Sequence, residues 1–426
     1  MKDRDTLRVD GTRLLARLEA LAEIGAIEGG GCSRLALTDE DRAGRDLVVS
    51  WLRDLDLEVR IDALGNVVGT WTPPGQEGRH GDGNGDRPPV LMGSHIDTVR
   101  TGGRYDGNLG VLAGIEVIET VAGSGFQPDR PLAVAFFTNE EGSRFSPDMM
   151  GSLTYVGGLP LEEALDIKGI DGATVGDELL RIGYVGPYPC PGPAPHAYVE
   201  LHIEQGPVLE AESVDIGVVE GVQGISWQEI SIQGQANHAG TTPMALRHDA
   251  GWAAAAVATY VRDLARELGP PQVGTVGSLQ LHPGLVNVVA GTAKLTVDLR
   301  NTDEVILERA ETRLASFLAE LAAGEGVTIS SRPLARFEPV QFDPSIVDLV
   351  ETTARRLGHS THRLPSGAGH DAQMLARVCP SGMVFVPSVG GISHNPAEHT
   401  QPAHLIAGAE VLLHVVLALA TEEEAS

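Results

Sequence analysis

The most informative residues of the chain lie between Gly93 and Gly110, which read GSHIDTVRTGGRYDGNLG. This stretch follows an apolar, strand-like run and precedes a helical pattern. His95 and Asp97 therefore lie at the end of a predicted strand, whereas Asp106 lies in the glycine-rich turn that opens a helix. Glycines around Tyr105 and Asp106 allow the backbone to approach closely whatever those side chains hold. Polar side chains at a strand end are typical of functional sites in α/β proteins.

Two further predicted strands also end in polar side chains. The apolar run Pro131–Thr138 is short enough for a buried strand and leads into Glu140 and Glu141. Two adjacent carboxylates after a buried strand are costly unless other groups compensate their charge. The run Ala197–Gly206 ends in the same way, with His202, Glu204 and Gln205. Strands that alternate with helices and deliver polar groups at their carboxyl ends predict a mainly parallel sheet, with the site at one edge.

The sequence pattern changes near Glu220. A strictly alternating run begins at Ser226 and is followed by a helix, two strands and a second helix. This β-α-β-β-α order predicts a small α+β insert with one sheet face covered. Beyond about position 340 the chain resumes helices and strands. We therefore predict an α/β fold in three segments: catalytic domain 1–220, inserted domain 221–336 and catalytic domain 337–426.

Length and cysteine usage indicate a globular protein of two domains in a reducing compartment. A chain of 426 residues exceeds the size of one ordinary core. The N-terminus does not resemble a signal peptide, and we expect no run to approach the 18 apolar residues that span a bilayer. Cys32, Cys190 and Cys379 are far apart in the sequence, which disfavours a disulfide scaffold or a thiolate metal site. We expect a cytoplasmic location.

The chain is strongly acidic, with 31 basic and 58 acidic residues and a net charge of −27. Such a charge repels nucleic acid phosphates and anionic membranes, so we expect neither as a partner. Part of the acidity, including Glu422–Glu424, is interpreted as a solvated surface. The segment Pro73–Pro89 is rich in glycine, aspartate and proline and predicts a polar loop.

The polar groups at strand ends form a set with a common chemistry. Three histidines with carboxylates and no thiolate match a hydrolytic site for one or two divalent ions such as Zn, Mn, Co or Ni. Two ions need one shared carboxylate and about two further ligands each. A carboxylate near a ligand histidine can orient its ring, and a glutamate off the metal can act as general base. The set comprises His95, Asp97, Asp106, Glu140, Glu141, His202 and His394.

Each of these residues also has an ordinary structural interpretation. A histidine at a strand end is most often hydrogen-bonded within the fold, and an adjacent glutamate pair is most often on the surface. The joint occurrence of all of them at strand ends, flanked by glycines, favours a metal-dependent hydrolase.

Several motifs resemble the amidase branch of the dinuclear metallopeptidase-like amidohydrolases. That branch includes N-carbamoyl-L-amino acid hydrolase, β-ureidopropionase and allantoate amidohydrolase. The resemblance runs in order from about residue 10 to residue 415 and departs at no ligand position. Its motifs are Gly93–Thr98, Tyr105–Gly107, Asn139–Phe145, Glu200–Pro207, Asn237–Met244, Asp298–Asn301, Ser366–Ala372 and Gly391–Glu398.

The resemblance implies a ligand set for two divalent metal ions per subunit. His95 and His202 would hold one ion. Glu141 and His394 would hold the other, and Asp106 would bridge the two. These assignments imply a zinc-peptidase-like catalytic domain.

The resemblance also implies catalytic roles. Glu140 would be the general base, with Asp97 behind His95. The insert would carry a dimer interface and close as a lid, so that His238 stabilises the oxyanion in the partner subunit's site. Arg300 would clamp the substrate carboxylate, for which a guanidinium is well shaped. Further substrate contacts are implied for Gln205, Asn237, Asn287 and the backbone near Gly369 and Gly391.

The predicted reaction is hydrolysis of N-carbamoyl-L-amino acids to the amino acid, carbon dioxide and ammonia. Allantoate amidohydrolase and β-ureidopropionase are the alternatives within the same class. A metal-dependent exopeptidase is disfavoured by His202 together with Asn237, His238 and Arg300. The carboxypeptidase relatives carry a carboxylate at position 202. A non-catalytic binding protein is disfavoured by Glu140, since a binder has no need of a general base.

Overall fold

The computed structural model describes residues 4–75 and 87–421. The chain forms two compact units, which divide at Glu220 and again between Gln341 and Phe342. The second division lies five residues after the one expected from the sequence. Most of the predicted Pro73–Pro89 loop and all of Glu422–Glu424 lie outside the described residues.

The first segment of the chain alternates helices and strands. It begins with a 3₁₀ turn at Arg4–Thr6. Its helices are α1 (Gly11–Ala22), α2 (Asp39–Asp54), α3 (Asn108–Ser124), α4 (Met150–Tyr155), α5 (Leu161–Asp166), α6 (Val175–Ile182) and α7 (Val208–Glu212). Its strands are β1 (Glu58–Ile61), β2 (Val67–Trp71), β3 (Val90–His95), β4 (Leu132–Phe137), β5 (Ala197–Ile203) and β6 (Ile216–Val222).

The inserted segment contains two long helices and a set of antiparallel strands. A 3₁₀ turn lies at Met244–Leu246. The elements are β7 (Gly224–Gln233), β8 (Asn237–His238), α8 (Ala250–Leu268), β9 (Val273–His282), β10 (Val288–Val289), β11 (Thr292–Asn301), α9 (Glu304–Glu325), β12 (Thr328–Phe337) and β13 (Val340–Gln341).

The last segment returns to the first unit. A 3₁₀ turn lies at Val389–Gly391. The elements are α10 (Pro344–Arg356), β14 (Thr361–Ser366), α11 (Asp371–Leu375), β15 (Ser381–Val386) and α12 (Pro402–Ala420).

The large sheet has the strand order β1-β2-β4-β3-β5-β15-β6-β13, and β14 pairs with β6. The four central strands β4, β3, β5 and β15 run parallel to one another. The outer pairs are antiparallel, so the sheet is mixed at its edges. The α/β class with a mainly parallel centre is confirmed, and the carboxyl ends of the central strands meet at one edge.

Burial explains why the central strands are continuous apolar runs. All residues of β3, β4, β5 and β15 are buried, as expected for strands covered on both faces. Helices α3 and α12 pack beside them and bury most of their own residues. A rigid, fully covered sheet is a suitable support for side chains that must be held at fixed positions.

Helix α12 corrects one expectation from the sequence. Its 19 residues are long and apolar enough to cross a membrane by length and composition alone. However, 67% of the apolar window is buried inside the structure, where the helix packs on α3, α10, β5 and β15. The helix is apolar because it lies in the core of the first unit.

The inserted unit has its own hydrophobic core. Its sheet has the order β12-β7-β11-β9, and α8 and α9 pack on this sheet. The strand β12 was not predicted from the sequence. Most of its residues are exposed, and its pairing with β7 shifts register after Pro333, so it lacks the alternating apolar pattern of a central strand.

Candidate active site

The first unit gathers the predicted ligands at the carboxyl edge of its sheet. His95 ends β3, His202 lies near the end of β5, and Glu141 follows β4. The described residues include three groups of potential metal ligands, and within each group the ligand atoms lie within 4.8 Å of one another. One of these groups is Glu200, His202 and His370, and the other two share Asp106. Of the two that share Asp106, one is His95, Asp106 and His202, and the other is Asp106, Glu141 and His394.

Each oxygen of the Asp106 carboxylate faces one of these groups. The Nε2 atoms of His202 and His95 lie 3.1 and 3.7 Å from Asp106 Oδ1. On the other side, His394 Nε2 lies 3.4 Å from Asp106 Oδ2 and 3.3 Å from Glu141 Oε2. A carboxylate between two ligand sets is the arrangement that a shared bridging ligand needs.

The two buried histidines present the correct nitrogen to this carboxylate. His95 Nδ1 lies 2.9 Å from the carbonyl oxygen of Asp97, and His202 Nδ1 lies 2.8 Å from that of Ile203. Because a carbonyl only accepts, each Nδ1 carries the proton and each Nε2 keeps its lone pair. The backbone N–H of Gly107 donates to His202 Nε2 at 3.1 Å, in agreement with this assignment. Both rings therefore offer Nε2 as a ligand.

The carboxylate of Asp97 was expected from the sequence to orient the His95 ring, but the structure gives it other partners. The carbonyl of Asp97, and not its carboxylate, orients the His95 ring. The carboxylate accepts the backbone N–H groups of Glu140 and Glu141, each at 3.3 Å. Asp97 thus holds both the first histidine and the paired glutamates, through two different groups of one buried residue.

The paired glutamates differ in their surroundings. Glu141 accepts from the backbone N–H of Val99 and reaches His394. Glu140 Oε2 lies 3.3 Å from His95 Nε2, yet Glu140 belongs to none of the ligand groups among the described residues. Asn139 just before them has a left-handed φ of 58°, which turns the chain after β4. Glu140 therefore lies beside the candidate ligand groups and belongs to none of them.

The buried carboxylates of the site favour a nearby positive charge. Burial raises the pKa of Glu140 well above its ordinary value, and burial together with the charge of Asp106 raises that of Glu141 to about 8. Burial alone would raise the pKa of Asp106 as well, but the close approach of the imidazoles of His202, His394 and His95 holds it well below its ordinary value. Buried carboxylates in this number are stabilised by a bound cation.

The donor set fits divalent metal ions. Imidazole nitrogens and carboxylate oxygens without thiolates suit Zn, Mn, Co or Ni, and the two groups offer three ligands each when Asp106 is shared. His394, whose side chain is 52% exposed, leaves one side of the second group open.

Two glycines near Asp106 are required by close contacts. Gly107 has a φ of +66°, and a Cβ there would lie 2.4 Å from the His95 ring. A Cβ at Gly103 would lie 2.0 Å from the carboxylate of Glu398. The glycines of this turn therefore admit side chains close to the backbone, as predicted from the sequence.

Three residues expected to bind substrate lie in the first unit. Gln205 has a left-handed φ of 56°, and its Nε2 donates to Asp106 Oδ2 at 2.8 Å, so its amide lies against the bridging carboxylate. Gly391 also has a positive φ, and a Cβ there would collide with Pro207. Gly369 lies against the side chain of Met149.

The other expected substrate residues lie in the inserted unit. Asn237 and His238 form β8, which pairs with β10, and the backbone carbonyl of Asn287 accepts from Ala239 at 2.9 Å. The Nδ1 atom of His238 accepts backbone N–H groups from Gly240 and Thr241 at 3.1 and 3.2 Å. Because Nδ1 accepts, the proton is on Nε2, which makes this exposed ring a donor at its outer nitrogen.

Arg300 is held by neighbours of its own unit. Its Nε and one terminal nitrogen donate to the carboxylate of Asp298, at 3.1 and 2.9 Å. Its guanidinium carbon lies 5.7 Å from the ring centroid of Trp227. This pairing holds the guanidinium of Arg300 between Asp298 and Trp227.

Two acidic residues of the first unit were not predicted as site residues. Glu398 accepts backbone N–H groups from Tyr105 and Asp106, and burial together with the charge of Asp106 raises its pKa to about 7. Glu200 accepts from Ser94 and from the backbone of Ala372 beneath the ligands. Both lie inside motifs that the sequence shows, but their contacts come from distant segments and leave no pattern there.

Comparison with known proteins first identifies the family to which the chain belongs. Residues 91–418 match Peptidase family M20/M25/M40, and the chain belongs to this family. The family is metal-dependent and dinuclear, and the two ligand groups around Asp106 agree with that chemistry.

The particular relatives are amidases. N-carbamoyl-L-amino-acid amidohydrolase from Rhizobium meliloti is 41% identical over 410 residues, which cover 96% of each chain. An amidase of the hydantoinase/carbamoylase family from Burkholderia multivorans has a solved structure with a TM-score of 0.93 and 44% identity, covering 98% of this chain and 100% of that one. A ureidoglycolate hydrolase from Arabidopsis thaliana is 33% identical and covers 96% of this chain and 86% of its own. The chain is a hydrolase of linear amide C–N bonds, similar to N-carbamoyl-L-amino-acid amidohydrolases.

Proposed function

We propose that the protein hydrolyses N-carbamoyl-L-amino acids with one water, releasing the amino acid, carbon dioxide and ammonia. The observation that carries this proposal is the site around Asp106, with two ligand groups and Glu140 beside them. The similarity to an N-carbamoyl-L-amino-acid amidohydrolase along 96% of the chain supports this choice of substrate.

Two divalent ions, of Zn, Mn, Co or Ni, are the proposed cofactors. His95 and His202 would hold one ion, and Glu141 and His394 would hold the second. Asp106 would bridge the two ions. Ions bound there would act as Lewis acids that polarise the substrate carbonyl and lower the pKa of water.

Glu140 is the proposed general base. It takes a proton from the water that attacks the ureido carbonyl carbon and returns a proton to the leaving nitrogen. Its raised pKa and its position 3.3 Å from His95 support this role, because a raised pKa makes a carboxylate a stronger base. Asp97 supports the reaction by holding the backbone of Glu140.

The inserted unit is proposed to complete the site in a homodimer, as a lid and dimerisation domain. His238 of one subunit would stabilise the oxyanion in the other subunit, for which its protonated Nε2 is suited. Arg300 would bind the substrate carboxylate. The remaining substrate contacts are assigned to Gln205, Asn237, Asn287, Gly369 and Gly391.

A cytoplasmic location belongs to the same proposal. Its support is that Cys32, Cys190 and Cys379 are all free thiols.

A second candidate substrate is ureidoglycolate, which the Arabidopsis thaliana relative names. Allantoate and N-carbamoyl-β-alanine share the same ureido and carboxylate groups. These substrates differ in the group between the ureido nitrogen and the carboxylate, so a direct comparison separates them.

The experiment measures ammonia release by metal-reconstituted protein from N-carbamoyl-L-amino acids, ureidoglycolate, allantoate and N-carbamoyl-β-alanine, and amino acid release from a dipeptide. We expect the highest kcat/KM with an N-carbamoyl-L-amino acid. A higher value with another ureido acid would replace the substrate. Hydrolysis of the dipeptide alone, or of none with both ions bound, would reject the proposed reaction.

A further inference from the structure

Glu398 joins two loops that carry ligands of the same proposed ion. It is only 5% exposed. Its Oε1 accepts the backbone N–H groups of Tyr105 and Asp106, at 3.0 and 3.3 Å. Its Oε2 lies 3.0 Å from the hydroxyl of Ser393, the residue just before His394.

The hydroxyl of Ser393 extends this contact to the bridging carboxylate. It lies 3.1 Å from Asp106 Oδ2, so one short path runs from Glu398 through Ser393 to Asp106. Asp106 and Glu398 are 292 positions apart in the chain. The two loops therefore depend on these contacts, and not on chain connectivity, for their relative position.

The backbone around both ligands is also unusual. His394 has a left-handed φ of 53°, a conformation that persists in a non-glycine residue only where its surroundings enforce it. The absence of a side chain at Gly103 makes room for the Glu398 carboxylate, since a Cβ there would lie 2.0 Å from it. The loop around Asp106 is thus shaped to receive this carboxylate.

We propose that Glu398 is a positioning residue, which holds Asp106 and His394 in the relative placement needed to bind the ion of the Asp106, Glu141 and His394 group. It is not assigned as a ligand, because both of its oxygens have protein partners and no ligand group among the described residues includes it. This role goes beyond the proposed function and does not depend on which amide is the substrate.

The test is Co²⁺ binding to the full-length protein, followed by the absorption bands of the bound ion and by competition with a chelator. We expect Glu398→Ala to lower the affinity for one of the two Co²⁺ ions by about 10- to 100-fold and to leave the affinity for the other unchanged. Glu398→Gln should bind both ions nearly as wild type. Its amide oxygen can accept both backbone N–H groups, and its amide nitrogen can donate to Ser393.

Asp62 offers a matched control away from the ligands. It is also buried and accepts the backbone N–H groups of Leu64 and Asn66, each at 2.9 Å. Asp62→Ala should lower the melting temperature while both Co²⁺ affinities stay at the wild-type value. This control separates loss of stability from loss of a placed ligand.

Two results would overturn the proposal: wild-type affinity for both ions in Glu398→Ala, or the same selective weakening in Asp62→Ala. If Glu398→Ala does not fold, Ser393→Ala decides. Weaker binding of one ion in that variant supports the proposal, and unchanged binding rejects it. Failure of every ureido substrate would reject the proposed function and leave this binding result intact.

Discussion

At the scale of single residues, hydrogen bonds to the backbone set the chemistry of three histidines. His95 and His202 each donate from Nδ1 to a carbonyl, which leaves the lone pair of Nε2 able to bind a metal ion. His238 does the reverse, because its Nδ1 accepts two backbone N–H groups and its Nε2 carries the proton. The same side chain thus presents a nitrogen lone pair in the first unit and a hydrogen-bond donor in the inserted unit.

Glu140→Gln should keep both metal ions and lose about 10²- to 10⁴-fold in kcat, because glutamine cannot accept the proton from water. Metal content and steady-state rates measure the two effects separately. Glu141→Gln is the matched control and should lose affinity for one ion. A Glu140→Gln variant with a near wild-type rate would remove Glu140 from the role of base.

Arg300→Ala should raise KM for ureido acids by about 10- to 100-fold, because a charged hydrogen bond contributes about 1.5–3 kcal/mol. Steady-state kinetics with an N-carbamoyl-L-amino acid measure the change. The same substrate with its carboxylate converted to a carboxamide is the control, and its KM should respond little. An unchanged KM for the acid would exclude Arg300 from substrate binding.

At the scale of elements, the start of α3 is coupled to the end of β3. Gly107 precedes the helix with a φ of +66°, and the ring of His95 occupies the space that a side chain at position 107 would need. The same turn places Asp106 between the two ligand groups. A small backbone requirement therefore controls the position of two ligands.

Gly107→Ala should displace the His95 ring and reduce metal content, since its Cβ would lie 2.4 Å from that ring. The left-handed backbone adds a cost of about 1–3 kcal/mol. Metal analysis and denaturant unfolding measure both effects.

Gly123, in the same helix, is the control for this substitution. A Cβ there meets nothing within 4 Å, so Gly123→Ala should keep both ions and gain about 0.5–1 kcal/mol. Full metal content in Gly107→Ala would show that the close contact is not required.

At the scale of the whole molecule, the proposed reaction divides between two units. All proposed metal ligands and Glu140 belong to the first unit, whereas His238 and Arg300 belong to the inserted one. The inserted unit has a separate core and can present its side chains as one body. The proposed homodimer would bring the two sets together across subunits.

A mixed dimer tests this arrangement in the full-length protein. Glu140→Gln and His238→Ala homodimers should both be nearly inactive. A heterodimer of the two, co-expressed with different tags, should recover about half of the wild-type rate, because one of its two sites has both residues intact. A heterodimer as inactive as its parents would place His238 in the site of its own subunit, and a monomer in solution would reject the arrangement.

Much of this organisation can be read from local pattern. Apolar runs ending in His95, Glu140 and His202 predict the parallel strands and their shared edge, because the period and length of such runs report burial directly. Glycines next to Asp106 likewise report a close approach. For these residues the information is local, and the α/β fold with histidines and carboxylates gathered at one edge of the sheet follows from it.

Other features depend on contacts between distant segments. No periodic signal in the sequence marks three contacts of the site. His95 Nδ1 contacts the carbonyl and not the carboxylate of Asp97, Glu398 accepts from the backbone of Asp106, and Gln205 donates to the Asp106 carboxylate. The exposed strand β12 and the burial of the apolar helix α12 are set by their neighbours in the same way. A sequence pattern records which face of an element is buried, but only the packed chain determines which atoms meet there.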